Sequence, residues 1–211
     1  MRTRDPLGQH IPTMTAVFEG GLFFMAVVLG LVLGLPTTTL VRFTWQGVVL
    51  GVVTALPIIA GFFLLQIAPV RSIQMLNFHV RRLVVPLLRS STLAQVAAIS
   101  LFAGLGEEML FRAIIQQGLQ QWIGWSFSPE LGLVAALMIT AVLFGVVHAM
   151  TPLYALVAAA LGLYFGLIWL WTDNLLVPIL AHAVYDFVAI LWYLHGPKRL
   201  VRRRDKRSGD H

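Results

Sequence analysis

The sequence predicts an all-α fold: a polytopic membrane helix bundle of about six transmembrane spans, with both termini cytoplasmic. Three observations carry this. Of 211 residues, 58% are hydrophobic and 11% charged, whereas a soluble domain runs nearer roughly 45–50% and about 25%. The apolar residues gather into six runs, each close to the ~20 residues that cross a bilayer. Of the 15 Lys and Arg, all but Arg42 and Arg112 fall on one side once six spans are drawn, which is the positive-inside pattern.

Taken in order, the first run, Met14–Leu35, is too long for a signal-peptide core and lacks a small-x-small cleavage site, so it reads as span 1. Pro36 and three threonines follow it, and Val48–Ala68 is span 2. In the linker 69–92, Arg71, Arg81, Arg82 and Arg89 are mixed with Ile73, Met75, Leu76, Phe78 and Val80. This is either an amphipathic helix on the membrane surface, ended or kinked at Pro86, or a basic connecting loop. Leu93–Gln121 is span 3. Ser126, Ser128 and Pro129 precede span 4, Leu131–Met150. Thr151 and Pro152 suit the N-cap and first helical position of span 5, Leu153–Trp171. Asp173-Asn174 is placed to cap span 6, Leu175–Leu194. Trp122, Trp125, Trp169, Trp171 and Trp192 lie mostly at span ends, as an interfacial belt does. The whole chain, 1–211, reads as one transmembrane domain. Residues 1–92 hold the first two spans and the basic interfacial segment, 93–195 a core of functional spans, and 196–211 a basic cytoplasmic tail. A plasma or inner membrane is the expected location, with lipids as partners and no nucleic acid.

Ionisable side chains inside spans are expensive and mark function by default. Span 3 carries three within six residues: Glu107, Glu108 and Arg112. Glu108 and Arg112 stand at i,i+4 and can pair on one face. Glu107 points about 100° away and is left to act elsewhere. His182 and Asp186 repeat the spacing on span 6, and Phe144 and His148 on span 4. A desolvated glutamate beside a histidine can hold and deprotonate a water. A second histidine with a polar neighbour can stabilise an oxyanion. Those are the parts of a hydrolase for amide bonds in or beside the membrane. With no cysteine, disulfides, thiolate catalysis and cysteine-bound metal are excluded. There is no Gly-x-Ser-x-Gly, His-Glu-x-x-His or Gly-x-Gly-Asp motif, and Ser100 reads as a small packing residue. Glu19 in span 1 has no motif around it and reads as structural or snorkelling. Gly104 and Gly106 are expected to permit close helix packing or a local break.

The ordered set Glu107-Glu108-x-x-x-Arg112, Phe144-x-x-x-His148 and His182-x-x-x-Asp186 on three spans resembles the CPBP intramembrane proteases, the CAAX-protease and bacteriocin-processing group also called Abi. The resemblance covers roughly Leu93–Leu194. It implies that Glu107 and His148 activate water, that His182 and Asp186 stabilise the oxyanion, and that Glu108 and Arg112 support them. The substrate it implies is a membrane-associated peptide, prenylated and CAAX-like in part of the family. The best-studied prenyl-protein endopeptidases carry Asn where this chain has Asp186. An ionised aspartate only accepts hydrogen bonds, so Asp186 is expected to be protonated, to orient His182 or to help bind a metal. The resemblance points to a mechanism without cofactor, although Glu107, His148 and His182 are also a zinc-compatible donor set. A non-proteolytic immunity or binding protein of the same fold, and a proton-coupled transporter, are the competing readings. By helix rise alone, His148 late in span 4 and His182 early in span 6 stand more than ~10 Å apart in depth; a shared site requires shifted, tilted or broken helices.

Overall fold

The computed structural model describes residues 10–197; Arg2, Arg4 and the basic tail from Lys198 lie outside them. Among the described residues the structure is helical, with no strand. It comprises α1 (Ile11–Leu33), α2 (Trp45–Ile67), α3 (Arg71–Leu83), α4 (Val85–Leu88), α5 (Leu93–Glu108), a π-helical stretch (Met109–Gln116), α6 (Gln117–Ser126), α7 (Pro129–Val147), α8 (Pro152–Thr172) and α9 (Leu176–His195). Five helices are long and apolar enough to span a bilayer, and six if Arg71–Leu88 and Leu93–Ser126, bent by 115°, count as one. Large apolar side chains such as Phe24, Val32, Leu56 and Val142 face outward, where lipid accepts them as readily as a protein core. The chain is an integral, multi-pass membrane protein.

The linker after span 2 is the amphipathic helix and not the loop. In α3, Asn77 and Val80 are buried while Arg71, Arg82 and Leu83 are exposed. It breaks at Val84, two residues before Pro86, whose ring disfavours helix in its predecessor and offers no N–H. The Thr151–Pro152 expectation holds: the Thr151 hydroxyl accepts from the Tyr154 N–H at 3.1 Å, and Pro152 opens α8. At span 6 the capping pair divides. Asp173, in the left-handed region at φ 47°, closes α8. Asn174 alone serves α9, its Oδ1 accepting from Leu176 N–H at 3.1 Å and from Arg42 N–H at 3.0 Å. With Asn174 Nδ2 donating to the Arg42 carbonyl and Leu175 N–H to the Leu40 carbonyl, the loop before α2 is clamped to the start of α9. Trp169 departs from the aromatic belt: it is buried with Met109, Ala113, Leu175 and Ile179.

The depth problem is solved by unequal starting levels. Leu175 and Ile179, at the start of α9, pack beside Ala113 and Ile114. From Ile114 the π-helical stretch and α6 run on to Ser126, ~18 Å further along the axis, before the chain turns into α7. Consequently α7 begins far beyond the level at which α9 begins, and the last turn of α7 meets the second turn of α9. Glu107 and His148 are nearly equidistant from the Phe127–Ser128 turn, so this hairpin brings them to one level.

Two glycines let the other helices reach that level. A Cβ on Gly104 would lie 2.6 Å from the Ile179 carbonyl oxygen, and one on Gly106 2.5 Å from that of Glu19. The backbones of α9 and α1 therefore rest directly on α5, on different faces, one turn or less before the paired carboxylates.

Candidate active site

The two carboxylates of α5 enter different surroundings. Glu108 is fully buried, as is Arg112. Arg112 Nε donates to Glu108 Oε2 at 2.9 Å, and His182 Nδ1 donates to Glu108 Oε1 at 3.0 Å. Glu108 is thus a bridge between its own helix and α9, a contact the sequence spacing does not reveal. The i,i+4 pair survives although hydrogen bonding widens to i→i+5 immediately after Glu108, as at many functional sites. The outer nitrogens of Arg112 have no hydrogen-bond partner; the guanidinium lies 5.5 Å from the Phe144 ring centre and 6.0 Å from that of Phe111, within cation–π range.

Glu107, one residue earlier, turns into a cavity. Its Oε2 stands 3.4 Å from His148 Nε2 and has no hydrogen-bond partner. His148 caps the end of α7, and its Nδ1 lies 2.8 Å from the Phe144 carbonyl oxygen. A carbonyl only accepts, so Nδ1 carries the proton and Nε2 presents to Glu107. The His148 side chain is 29% exposed and that of Glu107 13%; the pair is screened from bulk water yet reachable. On the far side, His182 Nε2 lies 3.5 Å from Asp186 Oδ2. The rings fix the imidazoles: Phe144 stacks on His148 at 4.4 Å and Phe165 on His182 at 4.9 Å with 9° between planes.

All four principal candidates, Glu107, His148, His182 and Asp186, line one cavity of about 420 Å³, as does Phe144. Glu108 and Arg112 stand behind it. Three residues that sequence reasoning did not place here line it too: Glu19, Tyr154 and Phe165. Glu19 is not a snorkelling side chain; its Oε2 is buried without a partner. A lone carboxylate in a span was its one sequence signal, while Phe165 and Tyr154 had none. Ser100 behaves as a packing residue, its hydroxyl bonded to the Val96 carbonyl at 2.9 Å.

Among the described residues no three His, Asp or Glu side chains are grouped to hold a metal ion.

The family model described as Type II CAAX prenyl endopeptidase Rce1-like matches residues 89–188. That segment contains Glu107, Glu108, Arg112, Phe144, His148, His182 and Asp186; Glu19 falls outside it. No curated protein and no solved structure matches the chain. Over residues 89–188, a little under half of its length, the chain is similar to the Rce1-like CAAX prenyl endopeptidases.

Proposed function

We propose that the protein hydrolyses peptide bonds of membrane-associated substrates, CAAX-like and prenylated among them, with a water activated by Glu107 and His148. The observation that carries this reading is the 3.4 Å gap between Glu107 Oε2 and His148 Nε2 at the cavity wall. It is longer than a direct hydrogen bond should be, and both atoms are available to hold one water.

In the proposed cycle that water loses a proton to the pair as its oxygen attacks the substrate carbonyl carbon. The carbonyl π electrons move onto oxygen. His182, held between the Glu108 and Asp186 carboxylates, carries protons on both nitrogens and offers Nε2–H to the oxyanion. Asp186 then acts by orienting His182, a role open to an aspartate that only accepts hydrogen bonds. When the tetrahedral intermediate collapses, the C–N bond breaks and the proton held by the pair passes to the leaving nitrogen. Glu108 and Arg112 position His182 and do not touch the substrate. No metal is required at any step.

The test is cleavage of an internally quenched peptide bearing a prenylated cysteine and an apolar C-terminal tripeptide, by the purified chain in liposomes. Glu107→Ala and His148→Ala are each expected to abolish it. Retained cleavage in both would refute the mechanism, and absence of cleavage by the wild type would favour a binding or immunity protein of the same fold.

A further inference from the structure

The cavity does not end at the catalytic residues. It continues along α9 from Asp186 to Tyr193, two helical turns or ~10 Å. The walls between are apolar, with Phe62, Leu161 and Ala189 among them. The far end is polar. Gln66 Nε2 donates to Asn77 Oδ1 at 3.0 Å and to the Tyr193 hydroxyl oxygen at 3.2 Å, and that hydroxyl donates to Asn77 Oδ1 at 2.7 Å. Gln66 is 4% exposed, yet its Oε1 has no partner. An acceptor left unpaired away from water is destabilising. Asn77 uses only its oxygen within the cluster, which leaves the amide N–H₂. One spare acceptor beside one spare donor is the complement of a peptide group. Behind the cluster, the Arg81 guanidinium sits 5.2 Å from the Tyr193 ring centre, and Arg89 and the unpartnered Ser91 hydroxyl line the adjoining pocket. Those cations favour the carboxylate end of a peptide at this wall.

We propose that Gln66, Asn77 and Tyr193 form a subsite for the substrate backbone, engaging it about three residues to the C-terminal side of the scissile bond, with the free carboxylate toward Arg81. Three extended residues span ~10 Å, the length of the cavity between Asp186 and Tyr193. The proposal rests on the proteolytic reading of Glu107 and His148. Gln66, Asn77 and Tyr193 all lie outside the family-matched segment.

The test is a backbone scan. Quenched peptides with three residues after the scissile bond are N-methylated at each amide in turn and compared as free acids and C-terminal amides, using the full chain in liposomes. With the wild type, methylation of the third amide and amidation of the terminus should each raise KM roughly three- to tenfold, with little change in kcat. Gln66→Leu should raise KM for the parent peptide by a similar factor and abolish the penalty at the third amide. A purely structural Gln66 would instead lower the melting temperature and kcat for every peptide and leave the scan unchanged, which overturns the subsite. If Gln66→Leu does not fold, a flat wild-type scan overturns it equally. Failure of the wild type to cleave any peptide overturns the proteolytic reading, and the subsite with it.

Discussion

Glu107 and Glu108 are neighbours in sequence and opposites in circumstance. Glu108 faces the helix-packed side of α5, with no exposure, and is held by Arg112 and His182. Glu107 faces the cavity, with one oxygen unpartnered and a single histidine across a gap. The difference follows from helix geometry: ~100° of rotation separates a buried, paired carboxylate from one that opens onto the cavity. A membrane helix can carry two adjacent carboxylates when one is neutralised by an arginine a turn later and the other is given a polar cavity.

Breaking the dry side should cost most. Glu108→Ala leaves Arg112 buried and uncompensated, so a loss of about 3–5 kcal/mol is expected in detergent unfolding. The double change Glu108→Leu with Arg112→Leu should recover most of that stability, since a buried pair replaced by apolar groups is often neutral. It should not recover activity, because His182 loses its anchor. The next effect lies where α1 meets α5. Gly106→Ala places a Cβ against the Glu19 carbonyl and should cost about 1–3 kcal/mol. Gly61→Ala, where a Cβ would meet nothing within 4 Å, should instead be neutral or stabilising by up to about 1 kcal/mol. Equal melting temperatures for the two would mean that α1 is not seated on the glycine. Smaller still, Asn174→Ala should cost about 1–2 kcal/mol by uncapping α9. Asp173→Asn, which removes the exposed ion pair with Arg42, should shift the unfolding midpoint by less than about 0.5 kcal/mol.

Much of this was legible in the sequence, because it is written in local spacing. Apolar runs marked the spans, and i,i+4 pairs put Glu108 with Arg112 and His182 with Asp186. What could not be read are relations between helices. The Glu108–His182 bond joins residues 74 apart. That His148 and His182 share a level depends on α6 overshooting α9, which no span boundary predicts. The π-helical stretch after Glu108 has no proline to announce it. Glu19 looked idle because its companions lie on other helices, and nothing in local spacing joins Gln66 and Asn77 to Tyr193. Asn174 shows the same limit at small scale: its capping role was visible, but its hold on the Arg42 backbone was not.

The division between the two carboxylates is tested most directly by a single pairing of rate and stability. Glu107→Gln is isosteric, keeps the cavity and removes only the base. Measured in liposomes with the quenched prenyl-peptide, its turnover should fall by about 10²–10⁴-fold, while its unfolding midpoint stays within about 0.5 kcal/mol of the wild type. Wild-type turnover by folded Glu107→Gln protein would contradict the assignment of Glu107 as the water-activating residue.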